Sequence, residues 1–256
     1  MPSRPTDAGF PAPRAAWLRG ITYAHRGLHG QGRLENSPSA FAAAIGAGMG
    51  IECDVQRSAD GRAVVFHDGE LERLTGEAGP VAARSVAELT RIALRGTAET
   101  IPTLRDLLGL AAGRVPLLIE LKSRRERPVA PLCRAVLRDL EGYSGPHAVM
   151  SFDPRVGHWF AGHSPGTVRG LVVTEANART LGAALKRRLA LWRSRADFLA
   201  YDVRDLPSRF AAAQRARGLP VLTWTVATAA LRQRAQAHAD GWIAEGEGLA
   251  TARSDA

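Results

Sequence analysis

Cysteine is nearly absent from this chain, whose 256 residues contain only Cys53 and Cys133. No further Cys or His follows either of them at zinc-finger spacing. The sequence therefore excludes a disulfide framework and argues against a thiolate zinc site. We expect two reduced, buried thiols.

Long apolar runs are absent as well, because no charge-free stretch reaches the roughly 18 residues that span a bilayer. The first twenty residues contain several charges and lack the apolar segment of a secretory signal. We therefore expect a cytoplasmic protein without an integral membrane segment.

Acidic residues are outnumbered, since 34 Lys+Arg face 25 Asp+Glu and give a net charge of +9. This balance favours anionic partners, namely nucleic acid, an anionic membrane surface or a small molecule that carries phosphate. Arginine placed wherever a surface cation is tolerated would produce the same balance. No helix-turn-helix, zinc-finger or RNA-binding aromatic signature is present, and the arginines are dispersed, so we expect no nucleic-acid partner.

Short apolar runs alternate with longer segments of helical period, which is the pattern of repeated βα units. Eight strands are predicted, at residues 21–24, 51–55, 116–121, 147–151, 170–174, 198–201, 220–225 and 241–244. Seven helices are predicted between them, at 38–47, 103–112, 130–140, 154–162, 180–193, 207–217 and 228–239. The fold class is therefore α/β, with a single TIM (β/α)8 barrel over residues 20–250, a loosely ordered leader at 1–19 and a tail at 251–256.

One apolar run, at residues 64–67, does not fit a βα unit. It follows the second strand too closely for a parallel crossover, which needs roughly a dozen residues. We therefore predict a β-hairpin excursion after the second strand, turning through the two residues Asp60 and Gly61. Counting outward from that turn pairs Asp54 with His67.

Residues suited to chemistry follow the strands at their C-terminal ends, where such barrels bind ligands. They are His25 and Arg26, Glu52 and Asp54, Glu120 and Lys122, and His67 and Asp68 after the hairpin. The other histidines, His29, His147, His158, His163 and His238, are expected to be structural or surface residues.

Glu52 and Asp54 point to the same face of their strand because they are two positions apart. Adjacent carboxylates repel unless a cation lies between them. With Glu120 as a third carboxylate, the set suits a hard divalent ion such as Mg²⁺ or Ca²⁺ better than zinc. The alternative is that these acids only pair with Arg and Lys at the barrel rim.

His25 and His67 have the imidazole chemistry of a general base and a general acid, although each is also compatible with a structural role. Arg26 and Lys122 are suited to hold a phosphoryl group. The residues alone thus favour metal-assisted phosphoester chemistry.

Several motifs carry a resemblance that extends from about Tyr23 to Glu245. They are Ala24-His25-Arg26-Gly27, Glu35-Asn36-Ser37, Gly50-Ile51-Glu52-Cys53-Asp54-Val55, Val64-Val65-Phe66-His67-Asp68 with Leu71, Arg73 and Thr75, Ile101-Pro102-Thr103-Leu104, Ile119-Glu120-Leu121-Lys122, Ser151-Phe152 and Leu222-Thr223-Trp224-Thr225-Val226. In order and spacing they resemble the glycerophosphodiester phosphodiesterase family.

This resemblance implies a TIM barrel that hydrolyses glycerophosphodiesters to glycerol 3-phosphate and an alcohol, using Mg²⁺, Ca²⁺ or alternatively Mn²⁺. The implied roles are metal ligands for Glu52, Asp54 and Glu120, acid/base catalysis for His25 and His67, phosphate contacts for Arg26 and Lys122, a glycerol-side wall for Trp224, and lining of the site for Glu35, Asn36 and Asp68. The implied reaction is attack by the neighbouring glycerol hydroxyl through a cyclic phosphate, with direct attack by water as the alternative.

The chain departs from the family pattern at Ala227, where Asn is common, and at Ala244-Glu245, where Thr-Asp is common. We expect these departures to alter substrate-side contacts rather than the metal site. No large insertion follows His67-Asp68, so we also expect a small cap.

Two other functions compete with this one. A lysophospholipase D-like or other lipid phosphodiesterase would act at a membrane, with peripheral contact through the basic segment Lys186-Arg187-Arg188 and its neighbours Leu185 and Trp192. The favoured interpretation of that segment is instead an outer barrel helix whose apolar stripe packs on the sheet. The non-enzyme alternative is a catalytically silent, phosphodiester-binding barrel, which is disfavoured because every implied histidine and carboxylate is present. The oligomeric state is not predicted.

Overall fold

Eight parallel strands close into a barrel in the computed structural model, which describes residues 14–176 and 180–249. They are β1 Thr22–Ala24, β2 Gly50–Arg57, β4 Leu117–Leu121, β5 His147–Ser151, β6 Val168–Val173, β7 Phe198–Asp202, β8 Val221–Val226 and β9 Gly241–Ala244, with the short β3 Ala63–Val65 antiparallel to the end of β2. The ring closes because β1 pairs with both β2 and β9. The predicted TIM barrel with a hairpin excursion is confirmed.

Helices alternate with the strands. Those expected from the sequence are α1 Pro38–Gly46, α4 Leu104–Ala111, α5 Ala130–Leu140, α6 Pro154–His163, α7 Leu181–Ser194, α8 Arg209–Ala216 and α9 Ala229–His238. Two single-turn helices, α2 Glu72–Thr75 and α3 Val86–Leu89, were not predicted. Oxygens of Ser37, Thr103 and Thr228 accept backbone hydrogen bonds at the start of α1, α4 and α9, which is how Ser and Thr begin helices.

Apolar side chains fill two layers, one inside the barrel and one between the strands and the helices. Tyr23 and Phe198 belong to the inner cluster, whereas Cys53 and Cys133 belong to the outer one. Both thiols are free and buried, as expected. Because successive strand residues face opposite sides, the outward position of Cys53 turns its two neighbouring acids toward the barrel axis.

The predicted register of the hairpin is wrong by one residue. Val55 pairs with Val65, and the amide of Phe66, not that of His67, donates to the carbonyl of Asp54. The turn has three residues, 59–61, because Ser58 N–H donates to the Arg62 carbonyl at 3.0 Å. A single added turn residue shifts every pair beyond it.

The segment after β3, residues 66–103, is larger than the small cap that the sequence suggested. It holds both single-turn helices and a separate apolar cluster. The buried members of that cluster are Val64, Phe66, Leu71, Leu74, Val81, Leu89, Leu94 and Ile101. This packing gives the segment a core of its own beside the barrel.

Much of the expected leader, residues 1–13, and the tail, 251–256, lie outside the described residues. Within the described part, Ala15 and Leu18 are fully buried against the inner apolar cluster. The packed chain therefore begins before Gly20.

Helix α7 packs on α6 through a close approach at Gly157. A Cβ added there would overlap the carbonyl oxygen of Ser194 on α7. We expect Gly157→Ala to lower the free energy of unfolding by about 1–3 kcal/mol, because the two helices must separate. Gly162→Ala on the same helix is the matched control: no atom lies within 4 Å of its added Cβ, so alanine should be neutral or stabilise by up to about 1 kcal/mol. Denaturant titrations measure the free energy of unfolding of both variants, and an equal change in the two would contradict this packing.

No helix in the described ranges is both long enough and apolar enough to cross a membrane.

Candidate active site

Three carboxylates meet at the C-terminal ends of β2 and β4. Asp54 is the register partner of Glu120, and Glu52 lies two residues earlier on β2. One oxygen from each lies within 4.8 Å of the other two. All three side chains are largely buried, so the residues predicted as metal ligands form one cluster.

Two cations contact this cluster. Lys122 Nζ lies 3.1 Å from Asp54 Oδ1 and 2.9 Å from Glu120 Oε1. Arg26 Nε lies 3.1 Å from Asp54 Oδ2, and the Arg26 amide donates to Glu52 Oε2 at 3.1 Å. Arg26 has a φ of +54°, a left-handed conformation that costs energy for a residue other than glycine. That conformation accompanies the amide contact to Glu52.

Glu35 and Asn36 hold the cluster from the β1–α1 loop. Asn36 Nδ2 donates to Asp54 Oδ2 at 3.0 Å, and Asn36 Oδ1 accepts from the Asp54 amide at 3.3 Å. Glu35 Oε1 accepts from Arg26 Nη1 at 2.8 Å and from Arg73 Nη2 at 2.7 Å. The two residues therefore orient Asp54 and Arg26.

His25 is paired with Glu245, the residue that follows β9. Its Nδ1 lies 2.5 Å from Glu245 Oε2, and His29 Nε2 lies 3.4 Å from the same oxygen. Hydrogen bonding with His25 holds the pKa of Glu245 well below its usual range. A carboxylate at Nδ1 favours the Nδ1–H tautomer, which leaves Nε2 free, 4.0 Å from Glu52 Oε2.

His67 has the same arrangement on the other side of the site. Its Nδ1 lies 2.7 Å from Asp68 Oδ1, and Arg73 forms an ion pair with that carboxylate. Burial lowers the pKa of His67. The negative charge of Asp54 opposes this shift, and the positive charge of Lys122 reinforces it. Both imidazoles thus have a carboxylate at Nδ1 and an Nε2 available for other contacts.

The positive charges of Lys122 and Arg26 do not fully compensate the negative charges of the three carboxylates. Burial, reinforced by the charges of Asp54 and Glu120, raises the pKa of Glu52 well above its usual value. Burial also raises the pKa of Glu120. Burial acts in the same direction on Asp54, but Lys122 and Arg26 outweigh it and hold its pKa below the usual range. Three hard oxygen donors that two cations do not fully neutralise form a set that fits a divalent ion.

Trp224 and Phe152 form an aromatic wall at the barrel mouth. Trp224 Nε1 donates to the Ala200 carbonyl at 2.9 Å, which fixes the indole. Its ring meets the ring of Phe152 edge-on, with centroids 5.4 Å apart. Phe152 follows β5 and is about half exposed.

The sequence model of the glycerophosphoryl diester phosphodiesterase family matches residues 25–245 of this chain. The chain belongs to this family. A Mycobacterium tuberculosis protein named "Probable glycerophosphodiester phosphodiesterase 2" is 33% identical over 229 residues, which are 85% of this chain and 78% of that protein. A Bacillus altitudinis glycerophosphodiester phosphodiesterase is 37% identical over 107 residues, 39% of this chain and 43% of the relative.

A solved structure has the same fold as this phosphodiesterase. It is an Oleispira antarctica phosphodiesterase in complex with its product sn-glycerol-3-phosphate, with a TM-score of 0.78 and 24% identity, covering 90% of this chain and 94% of the other. The resemblance found from the motifs is confirmed, and the chain is an enzyme of this family.

Three residues of the phosphodiesterase site have roles that the sequence does not predict. Arg73 is predicted only as a motif position, and His29 only as a structural or surface residue. The departure at Glu245 is expected to alter substrate-side contacts, but the structure shows Glu245 in contact with His25 and His29, and Arg73 joins Glu35 to Asp68. The signal for Glu245 was available, because the end of the last strand lies beside the first in a closed barrel.

The Asp68–Arg73 pair predicts an acid-dependent loss of stability. The hydrogen bond from Arg73 lowers the pKa of Asp68 to about 2, against about 3.9 in an unfolded chain. The stabilisation is therefore fully present above the unfolded-chain pKa and is lost as the pH falls toward about 2. We expect Asp68→Asn to flatten the unfolding free energy over this interval, measured by denaturant titration at successive pH values. Arg73→Met should flatten it similarly, and a full wild-type slope in both variants would contradict the pairing.

Proposed function

We propose that this phosphodiesterase hydrolyses glycerophosphodiesters to glycerol 3-phosphate and an alcohol, with a divalent cation held by Glu52, Asp54 and Glu120. The observation that carries the proposal is the joint placement of a buried three-carboxylate cluster and two imidazoles, each with a carboxylate at Nδ1. Family membership supports the reaction class.

The donor set supports Mg²⁺ or Ca²⁺, with Mn²⁺ as the alternative, because all three protein ligands are carboxylates. When bound, such a cation neutralises charge on the phosphate oxygens and makes a nearby hydroxyl more acidic. Arg26 and Lys122, which both contact Asp54, contribute fixed positive charge to the same site and are proposed to bind the phosphate oxygens.

His25 and His67 are proposed to move the protons through their Nε2 atoms. One accepts the proton of the attacking hydroxyl, and the other protonates the leaving alcohol oxygen. In the route through the glycerol hydroxyl next to the phosphate, a new P–O bond forms as the bond to the leaving alcohol breaks, and a cyclic glycerol phosphate results. Water then opens the ring and the two histidines exchange roles. Direct attack by water would give the same products without the cyclic species.

The test is hydrolysis of glycerophosphocholine by chelator-stripped protein, with Mg²⁺, Ca²⁺ or Mn²⁺ added back and the products identified. Release of glycerol 3-phosphate and choline only with added metal is the expected result. Cleavage of lysophospholipids but not of glycerophosphocholine would replace this proposal with the lipid phosphodiesterase. Metal binding without cleavage of either would favour the silent barrel.

Glu245 is proposed to position His25 rather than to contact substrate. Glu245→Gln keeps the shape but removes the charge that selects the Nδ1–H tautomer, so we expect kcat to fall by about 10²-fold or more. KM should change by less than about twofold, and Glu245→Asp should recover most of the loss because it restores the carboxylate. Steady-state kinetics check this, and a change confined to KM would assign Glu245 to substrate binding instead.

A further inference from the structure

Helix α7 carries an apolar face that remains exposed in the described part of the chain. Among the described residues, five large hydrophobic side chains are exposed, and four of them lie on this one helix. Their exposed fractions are 92% for Leu181, 67% for Leu185, 49% for Leu189 and 76% for Trp192. Spacings of four, four and three residues place them on a single helical face. The expectation that the apolar stripe of this helix packs on the sheet is therefore wrong for these four residues, whereas Leu191 does pack inward.

The inner side of α7 is satisfied by other residues. Ala190 and Leu191 pack on the cluster around β6 and β7. Arg187 is turned to the same side, where it forms an ion pair with Glu175 at 3.7 Å. The exposed leucines and Trp192 are thus surplus to the packing of the barrel, and such a contiguous apolar surface marks an interaction site.

Basic residues border this apolar face on both of its edges. Lys186 and Arg193 lie on one edge and Arg188 lies on the other, and Arg195 directly follows the last residue of the helix. All four are exposed, and no ion pair in the described part of the chain neutralises them. The helix itself contains no Asp or Glu. An apolar stripe bordered by cations is the arrangement of a helix that lies in the interface of an anionic bilayer.

A groove between α6 and α7 continues this surface. Its cavity of about 330 Å³ is lined by Pro154, Arg155, His158, Trp192, Arg193 and Arg195. Trp192 thus stands at the edge of a pocket that is itself basic, and an indole at the lipid headgroup level is favourable.

We propose that the exposed face of α7 docks this enzyme on the surface of an anionic phospholipid bilayer. Leucine and tryptophan side chains enter the boundary between headgroups and acyl chains, while the four cations contact lipid phosphates. A two-fold contact between copies of this chain is disfavoured, because it would bring the same four cations of each copy together. The docking is peripheral and does not depend on the proposed reaction.

The test is co-sedimentation of the full chain with vesicles of phosphatidylcholine alone or of phosphatidylcholine mixed with phosphatidylglycerol. Binding to the anionic vesicles that weakens with added salt is the expected result. Leu185→Ser with Trp192→Ser should reduce the partition coefficient at least about tenfold through loss of apolar insertion. Arg188→Gln with Arg193→Gln should reduce it about 10- to 30-fold on the anionic vesicles only.

Arg134→Gln with Arg234→Gln is the matched control, since it removes the same charge from exposed positions on α5 and α9. It should bind vesicles like the wild type. All variants should keep their thermal midpoints and their hydrolysis of soluble diesters. Equal loss of binding in the control would reduce the effect to net charge and overturn the proposal. The proposal would also be overturned if the wild type did not bind vesicles, or if sedimentation equilibrium showed that it self-associates through α7.

Discussion

We expect Glu52→Gln to abolish the proposed response of this enzyme to divalent cations and to lower kcat/KM by about 10³-fold or more. The magnitude follows because a catalytic divalent cation typically contributes several kcal/mol to the transition state, and each 1.36 kcal/mol is a factor of ten in rate. The amide in this variant keeps the size of the side chain but supplies a neutral oxygen in place of one of three clustered carboxylates. Kinetics with metal added back to chelated protein measure the loss.

Thermal unfolding separates a metal ligand from a residue that is merely structural. Without metal, Glu52→Gln removes a negative charge that lies close to Asp54 and Glu120, so the variant should be more stable than the wild type. With metal at about 100 times its Kd, the wild type should gain about 2.7 kcal/mol and the variant far less. The order of the two midpoints should therefore reverse when metal is added.

Glu70→Gln is the matched control for this reversal. Glu70 is exposed, and it lies outside the carboxylate cluster although it follows the same hairpin. Its substitution should change neither the metal response nor kcat/KM. If divalent ions did not change the thermal unfolding midpoint of the wild type, this result would contradict the proposed cation site.

The barrel was predictable because each strand is a short apolar run between turn residues and each connecting helix has its own period. The hairpin register was not, because it depends on whether Ala59 belongs to the turn, and Asp60-Gly61 fits both a two-residue and a three-residue loop. Composition likewise gives no distinction between a helix face that packs inward and one that faces out. The inner side of α7 is identified instead by contacts in the folded chain, namely the close approach of Ser194 to Gly157 and the ion pair of Arg187 with Glu175.

Some contacts of the candidate site could likewise be predicted from the sequence, and others could not. Glu52 and Asp54 share a face by strand geometry alone, and the pairing of β2 with β4 adds Glu120. Glu245 is different, because its contact with His25 depends on the closure of β9 on β1, which joins residues 220 positions apart. Glu245 departs from the family pattern, and the pattern alone does not show which residues Glu245 contacts.

The two histidines are expected to respond differently to the leaving group, and this would separate their roles. His25→Ala and His67→Ala should each lower kcat on glycerophosphocholine by about 10²- to 10⁴-fold, the usual contribution of an acid or base. On a glycerophosphodiester of p-nitrophenol, whose leaving group needs no proton, only the variant that lacks the acid should regain nitrophenol release. His238→Ala, on α9, is the control and should act like the wild type on both substrates.

The products of that rescued variant would also separate the two routes. If the glycerol hydroxyl attacks, the first step still proceeds with the activated leaving group, but the missing imidazole must act as base on water in the second step. Cyclic glycerol phosphate should then accumulate while nitrophenol is released, as ³¹P NMR would record. If water attacks directly, glycerol 3-phosphate should appear in step with nitrophenol. Both histidines have a carboxylate at Nδ1, which leaves each Nε2 free to transfer a proton. Rescue of both histidine variants, or of neither, would contradict the division of the acid and base roles between His25 and His67.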